Sequence, residues 1–145
     1  MASPPVAERL RAAGERVTAQ RLAVAETLAT SRRPQSAEEL WRRLRARHGG
    51  IGRATVFRSL EALVGAGVAR RLEPEGHAST YVACGAGHHH HLVCTGCGDV
   101  EEVDEALVLP LVQGMQAATG FEVDDARVDF YGRCARCASG DAAGS

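Results

Sequence analysis

The chain contains no lysine; all 17 of its basic residues are arginine. It also lacks any apolar run near the roughly 18 residues that a membrane-spanning helix needs. Its opening, MASPPVAERLRAAGER, has no apolar centre of the kind a secretory signal carries, so a cytoplasmic protein is expected. HExxH is absent, and so is HxE followed by PCxxC. Without them no general base is positioned for a zinc hydrolase or a deaminase, and the chain is expected not to be an enzyme. There is no internal repeat. The only biased tracts are four histidines at 88–91 and a small-residue tail, of which 139–145 are expected to be disordered.

What is present is unevenly distributed. The 145 residues carry a net charge of −1, but residues 1–83 hold 14 Arg against 8 Glu while residues 84–145 hold 3 Arg against 10 Asp and Glu. A basic half, +6, is thus joined to an acidic half, −7. This is the pattern of a phosphate-binding module attached to something else. Five cysteines in a reducing compartment suggest metal rather than disulfides.

Along the first half the pattern predicts a short helix within Pro5–Gly14. A second follows, capped by Thr18, with Leu22, Ala25 and Leu28 among its apolar positions. Ser36 and Glu39 form a capping box before Ala37, Leu40, Trp41 and Leu44, which recur at helical spacing. A fourth helix runs through ATVFRSLEALVGAG, with Val56, Leu60, Leu63 and Val64 as its buried stripe and a glycine stop. VARRLE and ASTYVA flank Pro74-Glu75-Gly76 and predict a hairpin. Three or more helices and then a hairpin is the order of a winged helix-turn-helix, expected over residues 1–83. Residues 84–87 are expected to be a hinge, and 88–138 a metal-binding domain in which HHHLVC, GDVEEV and FEVDDARVDFYG give strands and 104–119 a helix with Pro110 inside it. The fold class expected is α+β.

On the fourth helix Ala54, Phe57, Arg58 and Glu61 share the face opposite the core. A helix laid in a major groove needs this mixture, because Arg bonds guanine O6 and N7 while an apolar group packs on a thymine methyl. Arg53, Thr55 and Ser59 on the same helix, Arg16 and Arg21 around the second helix, and Arg70 and Arg71 at the wing are candidate DNA contacts that add affinity through phosphates.

Cys94-Thr95-Gly96-Cys97 and Cys134-Ala135-Arg136-Cys137 are two CxxC pairs on tight turns, the donor set of a structural Zn(Cys)4 site. A redox dithiol would need only one pair, and nothing else argues for an iron–sulfur cluster. Cys84 is left over, just before His88, His89, His90 and His91. In a strand His89 and His91 share one face and His88 and His90 the other, so one pair can join Cys84. A thiolate with two imidazoles matches zinc's borderline softness, and Glu102, Glu73 or His77 can complete the four.

RVTAQR at 16–21, SAEELW at 36–41, IGRATVFRSLEALVGAGV at 51–68, HHHHLVCTGCG at 88–98 and CARC at 134–137 resemble, in order and spacing, the ferric uptake regulator superfamily and within it the zinc uptake regulator branch. The resemblance spans nearly the whole chain. It implies a winged-helix domain hinged to an α/β dimerisation domain, and a homodimer that represses zinc uptake genes by binding a palindromic operator when a sensory zinc is in place. It also implies that Arg58 contacts bases, that the CxxC pairs hold structural zinc, and that Cys84, His89 and His91 hold the sensory zinc. The chain departs from the family at several points. Phe57 replaces a Tyr, and Pro34 replaces the histidine ligand of iron- and peroxide-sensing members. Arg70 falls near a hinge Asp of some zinc sensors, which turns attention to Glu102 or His77 as the fourth ligand. Leu109 and Ala126 replace the Glu and His that complete a third site with His88 and His90. The alternatives are a regulator of this family sensing iron, manganese or peroxide, and a constitutive DNA-binding protein with structural zinc alone.

Overall fold

A computed structural model describes residues 4–31, 33–85 and 89–140, with His89 described by its backbone. The chain divides between residues 86 and 87 into two compact units.

The first unit begins with α1 (Val6–Ala12) and α2 (Ala19–Ala29). The Thr18 hydroxyl accepts from the Arg21 amide at 3.1 Å and starts α2. The side of α2 that packs is Val24, Ala25 and Leu28; Leu22, one of its apolar positions, is 37% exposed. β1 (Gln35–Ser36) leads into α3 (Ala37–Arg47), whose capping box is closed in both directions: Glu39 N–H donates to Ser36 Oγ at 3.1 Å, and Ser36 N–H donates to the Glu39 carboxylate at 2.7 Å. Two otherwise orphaned amides are thereby satisfied, which stabilises the helix start by about 1 kcal/mol. α4 (Arg53–Gly65) follows; Val56, Leu60 and Leu63 of its stripe are fully buried, while Val64, expected with them, is half-buried. Ser59 is buried beside them, 3% exposed, at the floor of a notch it shares with Arg16, Arg21 and Arg58.

β2 (Ala69–Leu72) and β3 (Thr80–Ala83) form the expected antiparallel hairpin, with Ala69 opposite Ala83. The sheet is three-stranded, β1-β3-β2, because Gln35 and Ser36 pair with Tyr81 and Thr80. Leu10, Val24, Leu28, Leu40, Leu44, Val56, Leu60, Leu63 and Tyr81 make one continuous core. Each leucine buried there contributes roughly 2 kcal/mol.

The second unit is a sheet of order β5-β4-β6 with a long helix. β4 (His89–Cys94) pairs antiparallel with β5 (Val100–Asp104) and parallel with β6 (Asp129–Gly132). α5 (Glu105–Thr119) contains Pro110 and is capped by the Asp104 carboxylate, which accepts from Ala106 N–H at 2.8 Å. It ends at Gly120, whose φ of 71° is the left-handed stop. The strand expected over FEVDDARVDFYG is confined to its last four residues, since the segment before it is held by a side chain: Gln116 Oε1 accepts from Val123 N–H at 2.8 Å. α6 (Ala135–Ser139) closes the described chain. Among the described residues no helix is long and apolar enough to cross a membrane.

Candidate metal centre and nucleic-acid interface

Cys94 ends β4, and the chain turns back at once: Gly98 N–H donates to Cys94 O at 2.9 Å, and Cys94 N–H to Asp99 O at 2.8 Å. This knuckle brings Cys97 beside Cys94. The second pair is not on a simple turn as expected; Cys134 is the N-cap of α6 and Cys137 lies one turn into it. Thr95 N–H donates to Gly132 O at 2.7 Å and joins the knuckle to the end of β6. All four sulfurs lie within 4.8 Å of one another. That is the donor set and spacing of a tetrahedral zinc site, and the residues fit the ion.

The four thiols are electrostatically unequal. Amides of Cys134 (3.3 Å) and Cys97 (3.5 Å) point at Cys94 Sγ. These backbone hydrogen bonds, that of Cys134 first, pull the Cys94 thiol down to about 6. Burial, and then hydrogen bonding from neighbouring thiols, pushes Cys137 up to about 12. A divalent cation resolves the inequality by holding all four as thiolates. Gly96, between the first two cysteines, was not singled out in the sequence. A Cβ there would stand 3.0 Å from Cys137 Sγ and 3.3 Å from its Cβ, so a side chain fits between knuckle and second pair only if Cys137 gives by a few tenths of an ångström.

A second constellation lies on β4. His91 is opposite Glu102 of β5 and beside Asp129 of β6, so carboxylate, imidazole and carboxylate form a row across the sheet. The His91 ring is buried, and its Nδ1 is 3.4 Å from Asp129 Oδ1. His89 takes the register position opposite Asp104. His88 lies outside the described residues. Of the other expected sensory ligands, Cys84 follows β3 and His77 is exposed on the β2–β3 turn, both in the first unit, whereas His91 and Glu102 belong to the second. Glu73 is paired with Arg71 at 3.0 Å.

His90 points to the other side of β4 and is 1% exposed. It lines a pocket of about 170 Å³ with Glu105, Leu109, Asp124, Asp125 and Ala126. Its Nδ1 accepts from Val128 N–H at 3.2 Å, which leaves the proton of the neutral ring on Nε2. In this arrangement neither nitrogen offers a free lone pair, and the ring fastens the loop before β6.

In the first unit Ala54, Phe57, Arg58 and Glu61 are exposed along α4, and Phe57 leaves half its surface in water. Arg58 borders a notch of about 230 Å³ shared with Arg16, Thr18, Arg21 and Thr55. Arg21 is held there by donating to Arg16 O at 2.6 Å and by an ion pair with Glu15 at 3.0 Å. Three guanidinium groups around one concavity suit a phosphate.

Arg53 is occupied differently. It forks onto Glu38 at 2.9 and 3.1 Å and stacks 3.9 Å over the Trp41 ring, fastening the start of α4 to α3. The Arg53 hydrogen bond holds the Glu38 carboxyl below its ordinary range. Arg71 likewise donates to Ser79 at 3.2 Å in addition to its pair with Glu73, and Arg70 is half-buried on β2.

Residues 12–131 match the Ferric uptake regulator family. The chain is 34% identical over 139 residues to the transcriptional regulator FurA of Mycobacterium tuberculosis, covering 95% of this chain and 93% of that one. It is 35% identical over 130 residues to the zinc uptake regulation protein of the same species, covering 90% and 100%. Among solved structures, the ferric uptake regulator of Vibrio cholerae superposes with a TM-score of 0.66 at 32% identity, over 88% of this chain and 98% of that one. A zinc uptake regulator complexed with zinc and DNA superposes with 0.69 at 26%, over 96% and 99%. The cysteine cage, the outward face of α4 and the match along most of its length together place this chain in the ferric uptake regulator family.

Proposed function

We propose that the chain is a cytoplasmic, zinc-responsive transcriptional repressor that binds operator DNA as a homodimer, with one structural and one regulatory zinc per chain. The observation that carries the DNA side is α4: Phe57 and Arg58 stand outward on a helix whose opposite side is locked into the core, next to a notch lined by arginines. Arg58 meets base edges in a major groove, Phe57 packs on thymine methyls or sugar, and Arg16, Arg21 and Thr55 meet phosphate. Arg70 and Arg71 on the wing add charge along the backbone. Relatives named as transcriptional regulators, rather than as catalysts, support the same function.

Zinc at Cys94, Cys97, Cys134 and Cys137 ties the end of β4 to α6 and contributes to folding outright. Regulation is assigned to Cys84, His89 and His91 with a fourth ligand, Glu102 or His77. The Cys84 thiol is the soft donor that favours zinc over iron or manganese. A bound ion acts by preferring the DNA-competent arrangement of the chain, and reciprocity then requires operator DNA to tighten the ion by the same factor.

One observation favours a second reading. Glu102 and Asp129 flank His91 with hard oxygen donors, which suit an iron- or manganese-responsive regulator of the same family. Titrating free zinc, iron(II) and manganese separately against metal content per chain and operator affinity decides between them. Zinc-dependent operator binding that disappears in Cys84→Ser, with one zinc per chain retained, supports zinc sensing. Operator binding that responds to iron or manganese and survives Cys84→Ser overturns it.

A further inference from the structure

We propose that Asp129 is the positioning residue of the regulatory metal site: it accepts the Nδ1–H of His91 and thereby presents Nε2 as the ligating nitrogen. The inference rests on the assignment of His91 as a metal ligand.

Both groups are placed by the sheet rather than by a loop. His91 is on the central strand β4 and Asp129 at the start of β6, in register with it, and His91 N–H donates to Val128 O at 3.3 Å immediately before Asp129. Side chains at matched positions of neighbouring strands share one face, and the buried Nδ1 and Oδ1 face each other at 3.4 Å, within ion-pair range but longer than a formed hydrogen bond. The ring is 1% exposed and the carboxylate 19% exposed.

An imidazole binds a metal through one nitrogen and keeps a proton on the other, and the partner of that proton fixes both tautomer and ring plane. With Asp129 facing Nδ1, ligation falls to Nε2. The carboxylate also raises the basicity of the ring and offsets part of the ion's positive charge. The adjacent histidine shows the contrast: His90 has its Nδ1 engaged by an amide N–H, which selects the opposite tautomer. Two neighbours on one strand are thus set for different work by what meets Nδ1, a carboxylate acceptor in one case and an amide donor in the other.

The test is metal affinity in the full-length chain carrying its structural zinc. Cobalt(II) and zinc are titrated into wild type, Asp129→Ala, Asp129→Asn and His91→Ala, read by cobalt absorption and by zinc competition with a chelator. Asp129→Ala is expected to weaken the regulatory site by about 10- to 100-fold. The cobalt band positions stay unchanged, since no ligand is lost. Asp129→Asn keeps an acceptor without the charge and falls between. Affinity of Asp129→Ala within twofold of wild type overturns the proposal, as do altered cobalt bands, which would make Asp129 a direct ligand. An equal loss of zinc from the four-cysteine site also overturns it, because that reports a loosened sheet rather than a misaligned ring. If His91→Ala binds as wild type does, the assignment of His91 itself fails. If His91→Ala loses the site while Asp129→Ala keeps it, only the role of Asp129 fails.

Discussion

The Arg9 guanidinium of α1 donates to the carbonyl of Cys84 at 2.8 Å, and it reaches the carbonyls of Gly67 and Gly85 as well. Cys84 N–H in turn donates to Val68 O at 2.8 Å. The first two residues of the segment expected to be a hinge are therefore fastened to α1 and to the turn after α4. Arg9→Ala removes charged donors from three carbonyls in a half-exposed place, a loss of about 1–2 kcal/mol after solvent screening. The expected outcome is faster amide hydrogen exchange at residues 84–85 and a lower melting temperature for the first unit, with exchange in β4 unchanged. Unaltered protection at Cys84 would show that Arg9 does not hold it.

Gly96 is set against the second cysteine pair, where an added Cβ would stand 3.0 Å from Cys137 Sγ. Gly96→Ala forces Cys137 or the knuckle to give by several tenths of an ångström, and four sulfurs arranged for one ion tolerate that poorly. The variant is expected to lose its zinc to a chelator at least tenfold faster than wild type. Gly98→Ala is a useful comparison: its φ of 78° costs backbone strain, but no cysteine lies against it. Equal zinc retention in Gly96→Ala and wild type would remove the steric argument.

The capping box at Ser36, the buried stripe of α4, the hairpin and the two CxxC pairs were legible in sequence because each is a local signal: a side chain three residues from its amide, a 3.6-residue period, a turn tripeptide, a ligand spacing. What escaped depends on residues distant in sequence. The two-residue β1 pairs with β3 some 45 positions away, and the parallel register that sets Asp129 beside His91 spans 38 residues. Leu22 and Val24 are both apolar, and only the packing of α2 decides that Val24 is buried and Leu22 is not. Arg53 sat among candidate DNA contacts by its place on α4; its occupation by Glu38 and Trp41 is a tertiary fact with no local signature.

The cysteine cage makes a pH prediction with a definite sign. Cys94 is held down to about 6 by amide hydrogen bonds, so the stability it contributes is present above the ordinary thiol range and is lost as pH falls through about 6. Cys137 is pushed up to about 12 and remains a thiol at neutral pH when no ion is present. In zinc-stripped protein at pH 7.5, alkylation mapped by mass spectrometry should therefore modify Cys94 well before Cys137. Zinc reverses this by making both thiolates and shielding both, so loaded protein resists alkylation until acid releases the ion. Equal labelling rates at the two positions without zinc would contradict the asymmetry.

Arg58 and Arg53 separate reading from scaffolding on a single helix. Arg58 is exposed beside the notch of arginines, and its fork suits a guanine edge. Arg58→Ala is expected to lower operator affinity by about 10- to 100-fold and to flatten discrimination at one base position in each half-site, about 1–3 kcal/mol per base contact. Arg53 is spent on Glu38 and on the face of Trp41, and its removal loosens the start of α4 from α3. Arg53→Ala should unfold at a lower temperature while keeping the base preferences of wild type. Affinity across a library of single-base operator variants, measured at one salt concentration, distinguishes the two. The assignment fails if Arg53→Ala changes the preferred base or if Arg58→Ala weakens every sequence equally.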